Sequence, residues 1–237
     1  MTDLFDYLAN LSYPGRGILL GRSADGLRAV IAYFIMGRSE NSRNRVFTVK
    51  DGGIVTEAAD PRKMTDPSLI IYAPVRIADA RTTVVTNGNQ TDTIVDALQS
   101  GGSMEAALRA RTFEPDAPNY TPRVSGVLTV EACEMRYQLS ILKSAEGDPA
   151  SVQRFLFDYS VFRAGEGHLI HTYQGDGEPL PSFAGEPVSV ALGAVEPDDF
   201  TPALWTALDM QNKVSLFVRT IDLQTGESET RILNRRS

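Results

Sequence analysis

Cysteine occurs once in this chain of 237 residues, at Cys133, histidine twice, at His168 and His171, and tryptophan once, at Trp205. One thiol forms no internal disulfide, which agrees with a reducing compartment. The neighbours of Cys133 read as a half-buried strand, a setting that keeps a thiol inert. His168 and His171 fall on an extended stretch with no cysteine beside them, so the His-x-x-His spacing is a weak zinc signature and no metal site is expected. Long apolar runs are missing too, and nothing in the sequence is expected to span a membrane. The opening residues, MTDLFDYLANLSYP, are acidic and lack the basic start and apolar middle of a signal peptide, so a cytoplasmic protein is expected. Basic charge is in deficit: 23 Lys and Arg face 30 Asp and Glu, a net charge of −7. That deficit argues against nonspecific nucleic-acid binding, which needs a basic face.

What is present is an ordinary globular composition, 42% hydrophobic and 22% charged. A chain of this length buries roughly 70% of its unfolded surface, so a single domain over residues 1–237 is expected. The arginines are unevenly spread, with Arg16, Arg22, Arg28, Arg38, Arg43 and Arg45 in the first fifth of the chain. Such a cluster suits one anionic ligand held in one place, or equally a set of solvated arginines on strand faces.

Apolar spacing predicts a short amphipathic helix over residues 2–11, then strands over 17–21, 29–36 and 46–49. The first two are nearly continuous apolar runs, as in a sheet covered on both faces. Further strands are predicted at 66–72, 75–78, 82–85, 124–129, 137–143, 152–162, 168–174, 188–192 and, as a closing strand, 212–223. Helices are predicted after Asp92, at 103–111 with Ser103 as cap, and at 202–208 with Trp205 on the apolar side. Residues 113–123 (FEPDAPNYTPR) and 175–187 are loops because prolines interrupt both, and 147–150 reads as a loop. Runs of hairpins interleaved with a few helices fit helix layers on antiparallel sheet, an α+β class, better than βαβ units.

The densest signal is residues 82–98, TTVVTNGNQTDTIVDAL. A buried strand breaks at Asn87-Gly88 and hands over to a helix that Thr91, Asp92 or Thr93 can cap. Free N–H groups at that helix start, beside side-chain amides, suit a polar ligand. Three other polar stretches are as sharply bounded: 38–45 (RSENSRNR), 72–76 (YAPVR) and 114–123.

Together these stretches resemble the archaeal-type IMP cyclohydrolase family and its bacterial relatives. The matching residues are GRGILLGR from Gly15, the Asn44-Arg45 pair, Ile71-Tyr72, Thr86-Asn87-Gly88 with Thr91-Asp92-Thr93-Ile94, and Thr121-Pro122-Arg123 behind an acidic loop. The resemblance implies a four-layer αββα sandwich of antiparallel sheets similar to the N-terminal-nucleophile hydrolases. It implies closure of 5-formamidoimidazole-4-carboxamide ribonucleotide (FAICAR) to IMP, with a purine nucleotide as partner and without metal or organic cofactor. Carried over by motif, the catalytic residues are Arg45, Tyr72, Asn87 and Glu114, with Asp116 as a second acid. Glu114 or Asp116 is the expected base, Tyr72 and Arg45 the oxyanion and proton donors, and Asn87 the group that orients the carboxamide. The 5′-phosphate is expected against Arg123, Arg43 or Arg38 and the helix start with Asn89, Thr91, Asp92 and Thr93. Homo-oligomerisation is left open. Two rival readings remain: an N-terminal-nucleophile amidohydrolase using Thr2, and a nucleotide-binding module without chemistry.

Overall fold

The computed structural model of the chain describes residues 1–64, 67, 70–160 and 163–236. In chain order it begins with β1 (Thr2–Asp3), α1 (Leu4–Ala9), β2 (Arg16–Arg22), β3 (Arg28–Met36), α2 (Glu40–Arg43), β4 (Arg45–Lys50) and β5 (Gly53–Ala58). A short 3-10 turn, Pro61–Lys63, precedes β6 (Val75–Asp79), β7 (Thr82–Thr86), α3 (Gln90–Gln99) and α4 (Met104–Leu108). Next come β8 (Arg123–Glu131), β9 (Glu134–Ala145), β10 (Asp148–Tyr159), β11 (Glu166–His171) and β12 (Val188–Ala191). The last elements are α5 (Pro197–Ala207), β13 (Lys213–Asp222) and β14 (Ser228–Asn234).

The strands form two seven-stranded sheets, ordered β1-β12-β11-β2-β3-β13-β14 and β10-β9-β8-β7-β6-β5-β4. Every pairing is antiparallel except the two-residue contact of β1 with β12. β3 shows why the apolar runs are continuous. Ala29, Ile31, Tyr33 and Ile35 point between the sheets, while Val30, Ala32, Phe34 and Met36 point outward into a second core. A strand buried on both faces has no position that water requires to be polar. The outer core of the first sheet is completed by Leu4 and Leu8 of α1 and by Phe200 and Leu204 of α5. On the other side Ile94 and Val95 of α3, with Met104 and Leu108 of α4, cover Val84 and Val127. Full burial of one such aliphatic side chain is worth roughly 1.5–3 kcal/mol, so three apolar interfaces set the order helix, sheet, sheet, helix.

Several expectations need correction. Residues 70–72 are irregular, with a turn at 70 and a bend at 72, not strand, while residues 66, 68 and 69 of that expected strand, like 161 and 162 of the one at 152–162, lie outside the described residues. Residues 148–150 belong to β10, which begins at Asp148 and shifts register against β9 before Val152. Strand β5 was not expected, and β13 is not the closing strand because β14 pairs along it. Helix α5 starts at Pro197, whose fixed φ suits a first helical turn, so Pro202 lies inside it. Cys133 is exposed in the β8–β9 turn with φ of +64°, not half-buried in a strand. Helix α3 starts at Gln90 after Asn89, so Thr91, Asp92 and Thr93 lie within its first turn and none of them caps it.

Candidate active site

The alternation that builds the inter-sheet core also delivers charge to one end of it. Arg16 opens β2 on the face of Ile18 and Leu20, and Tyr33 follows Ile31 on β3. Arg45 opens β4 on the face of Phe47, and Tyr72 lies just before β6. Tyr33 and Tyr72, from opposite sheets, meet hydroxyl to hydroxyl at 2.8 Å. Glu114 enters from the proline-stiffened loop, held by its N–H donating to the Thr121 carbonyl at 2.9 Å.

Arg45 is 1% exposed; its Nε donates to the Ser42 carbonyl at 2.8 Å and its Nη2 to the Met36 carbonyl at 3.3 Å. Among the described residues its Nη1 has no partner, and neither have Arg16 Nε and Glu114 Oε1, all three buried. Buried charged atoms are almost always paired, since leaving one unsatisfied costs at least about 1–3 kcal/mol. Three in one cluster mark a place built for something else to bind. The Glu114 carboxylate is 3.7 Å from Arg16 Nη2. Burial lifts the Glu114 carboxyl above the usual carboxylate range although Arg16 and Arg123 pull it back. Burial also lowers the pKa of Arg45, helped by the charge of Arg16, and raises that of the Tyr33 phenol.

Arg16 and Arg45 open onto a cleft of about 260 Å³ that Tyr13, Arg38, Asp116 and Tyr173 also line, while Glu114, Tyr33 and Tyr72 are buried within electrostatic reach of the two arginines and do not line it. Arg38 stands at its rim, over the Tyr13 ring at 5.2 Å and 2.6 Å from Asp176. A larger cavity of about 490 Å³ lies at the opposite ends of the strands, around Gly52, Arg81, Glu131 and Arg219. Its charges are already engaged: Arg81 pairs with Glu131, and Arg219 donates to the Gly52 carbonyl and to Thr230.

The other expected residues divide between the cleft and the scaffold. Asp116 lines the cleft, but its oxygens accept from the N–H and hydroxyl of Thr121, whose hydroxyl also meets Tyr173. Asn87 is fully buried and fully used: its Nδ2 donates to the Pro122 carbonyl at 2.8 Å, and its Oδ1 accepts from Val124 N–H and Gln90 Nε2. Arg123 donates to Gln90 Oε1 at 2.8 Å, and burial lowers its pKa. Gly88 lets these groups close up, since a Cβ there would sit 2.4 Å from Arg123 Nη1 and 2.7 Å from Gln90 Oε1.

Arg43 turns away to the Gly37 carbonyl and Asn212, while Arg22 and Arg28 pair with Glu134 and Glu196. Thr91 bonds the Thr86 hydroxyl and Gly88 carbonyl, Asp92 pairs with Arg76, and Asn89 and Thr93 accept from Arg111. None of these four lines the cleft. His168 and His171 are separately engaged, with Tyr137 at 2.6 Å and with Tyr7 at 2.8 Å. Arg16, Tyr33, Tyr13, Gln90 and Tyr173 were not expected at the site. Arg16 stood inside the GRGILLGR motif, whereas Tyr33 is one aromatic in an apolar run, with no local signal of its own.

A profile of the IMP cyclohydrolase-like protein family matches residues 13–227. Against the IMP cyclohydrolase of Methanopyrus kandleri the chain is 35% identical over 116 residues, 48% of this chain and 57% of that protein. Against that of Methanocaldococcus jannaschii it is 28% identical over 126 residues, 53% of this chain and 61% of the relative. Against that of Methanothrix thermoacetophila it is 27% identical over 184 residues, 76% and 83% of the two chains. The first two alignments therefore span less than two thirds of those relatives' lengths. The matched span runs from Tyr13 at the mouth of the cleft, through Arg16, Arg45, Tyr72 and Glu114, to beyond β13, and on that basis the chain belongs to the IMP cyclohydrolase-like family.

Proposed function

We propose that this chain is an IMP cyclohydrolase that closes FAICAR to IMP with loss of water, a cytoplasmic step of purine synthesis, on a four-layer fold of the N-terminal-nucleophile-hydrolase type. The carrying observation is the trio of buried charged atoms without a partner among the described residues, Arg16 Nε, Arg45 Nη1 and Glu114 Oε1, beside the Tyr33–Tyr72 pair. The family match and the names of the curated relatives point the same way.

Ring closure joins two groups of one molecule, so holding the reacting conformer supplies much of the acceleration. The carboxamide nitrogen attacks the formyl carbon, and Glu114 accepts the amide proton; its raised pKa makes it a stronger base than an exposed carboxylate. The formyl oxygen gains charge as the C–N bond forms, and Arg45, with Arg16 beside it, stabilises that charge through its free N–H. Tyr72 protonates the oxygen to a hydroxyl. The protonated Glu114 passes its proton to that hydroxyl, so that the C–O bond breaks and water leaves, and the formamido N–H proton returns to Tyr72 as the ring C=N bond forms. Tyr33, whose own proton burial holds tightly, fixes the Tyr72 hydroxyl through their shared hydrogen bond.

Of the two candidate bases the geometry favours Glu114, because Asp116 is committed to Thr121. Asn87 acts by clamping Pro122 and Val124, which fixes the loop that carries Glu114. Among the phosphate candidates Arg38 is the one at the rim. Thr2 lies on β1 at the outer edge of the first sheet, three positions from β2, and so does not favour the N-terminal-nucleophile alternative.

The test is ring closure followed by ultraviolet absorbance with purified protein and FAICAR, with Arg45→Ala alongside. Turnover is expected in the wild type, and a loss of about 10²–10³-fold in the variant. Binding of IMP without turnover leaves the non-catalytic module as the answer.

A further inference from the structure

Three of the four sheet edges are short or closed. β1 has two residues, and β14 is tied to α5 through Arg231 and Asp198 at 2.6 Å. β4 is closed by Asn234, which exchanges hydrogen bonds with the Phe47 N–H and carbonyl at 2.8 and 3.1 Å. The fourth edge is β10, twelve residues long, with Pro149 and a register shift confined to its start and, among the described residues, paired only with β9. Among the described residues its outward backbone groups have no backbone partner. An open edge of this length invites another strand, and proteins normally blunt one with charge, proline or a bulge. Here the centre is Phe155-Leu156-Phe157, with Phe155 42% and Leu156 39% exposed.

The charges on this edge are self-complementary in one register. Arg154 and Asp158 share the helix-side face: Arg154 reaches the Leu108, Arg109 and Arg111 carbonyls, and Asp158 accepts from Gln138. Phe157 and Tyr159 share the inter-sheet face. Two antiparallel copies related by a two-fold axis place residues of the same face opposite one another, so the axis must pass beside a single residue. With Leu156 on the axis, Arg154 stands opposite the second copy's Asp158, twice by symmetry. The same register sets Phe155 against Phe157 and Gln153 against Tyr159. Shifting the axis to Phe155 or Phe157 puts Arg154 opposite Leu156 or Ser160 and loses both ion pairs. Cross-strand aromatic and opposite-charge pairs are the contacts that stabilise antiparallel strands.

We propose that β10 is the surface through which two copies of this chain associate, pairing antiparallel about Leu156 into one continuous sheet.

Light scattering after size exclusion at graded concentrations is expected to give twice the chain mass. Asp158→Arg and Arg154→Asp each set like charges opposite one another and are expected to weaken association about tenfold or more. The double variant Arg154→Asp with Asp158→Arg is expected to restore it. Arg154 also holds three carbonyls, so a cross-link provides a readout that does not depend on altering it. In a Cys133→Ser background, Leu156→Cys faces its own copy at roughly 4.5–5.5 Å between Cα atoms, within disulfide reach, and is expected to form a covalent dimer on mild oxidation. Val49→Cys in the same background is expected to remain uncrosslinked. A monomer at every concentration, a dimer that both single charge changes leave intact, or no cross-link at Leu156 overturns the proposal.

Discussion

Glu114→Gln separates a catalytic carboxylate from a structural counter-ion. The carboxylate lies 3.7 Å from Arg16 Nη2, where an ion pair is worth roughly 4 kcal/mol at an effective dielectric near 20. Burial of a single ion costs several kcal/mol, so the two contributions nearly cancel. The raised pKa gives the sign of the remainder: burial outweighs Arg16 and Arg123. A carboxyl with a folded pKa above its unfolded value holds its proton more tightly in the native state. Its stabilising contribution is complete below the unfolded pKa and is lost as pH rises through the folded one. At pH 7 the glutamine variant, which cannot ionise, is therefore expected to melt at or above the wild-type temperature. Turnover moves the other way, since removing a general base costs about 10²–10⁴-fold. The measurements are ring closure by absorbance, across pH, and thermal melting of the same samples. The acid limb of kcat/KM, set by Glu114, is expected above the ordinary carboxylate range and absent from the variant. Near-normal turnover refutes the base assignment. A fall in Tm of about 5 °C or more, on the order of 2 kcal/mol for this chain length, makes Glu114 a counter-ion of Arg16 instead.

Gly88→Ala forces a Cβ to within 2.4 Å of Arg123 Nη1 and 2.7 Å of Gln90 Oε1, so it is expected to break their hydrogen bond and to cost about 1–3 kcal/mol in a urea titration. Asn87→Ala leaves the Pro122 carbonyl, Val124 N–H and Gln90 Nε2 short of a partner, and a loss of about 3 kcal/mol in a urea titration is expected. His171 is buried between Tyr7 and the Tyr173 carbonyl, and burial pulls its pKa from 6.5 down to about 4. The unfolded chain takes up this proton first, so stability is expected to fall as pH drops from about 6.5 towards 4, by up to about 3 kcal/mol. Melting curves across that window should flatten in His171→Gln.

The layers were legible because periodicity reports burial directly: the unbroken apolar run of β3 is what a strand covered on both faces must look like. The loops were legible because prolines at 115, 118 and 122 exclude a ladder there. β5 escaped because GIVTEA alternates weakly and follows a turn, and β14 because SETRILN mixes charge with a half-buried face. Arg45, Tyr72 and Glu114 all lie within electrostatic reach of Arg16, but Asn87 and Thr91 spend their polar atoms on the scaffold. An amide or hydroxyl beside a Gly turn has the same sequence signature whether it faces a ligand or a carbonyl, and only packing distinguishes them. Tyr33 was invisible for the opposite reason: its hydroxyl finds Tyr72 only because the two sheets stack.

That hydroxyl contact is a strut between two independently hydrogen-bonded slabs, and it makes the cleft a gauge of how far apart they lie. Gly126, in mid-slab on β8, already has Leu20 and Val85 within 3.0 Å of where a side chain would begin. Wedging the slabs open at such a point, remote from any reacting atom, would part the arginine and phenol of one wall from those of the other. Catalysis would then fail while the fold still stood.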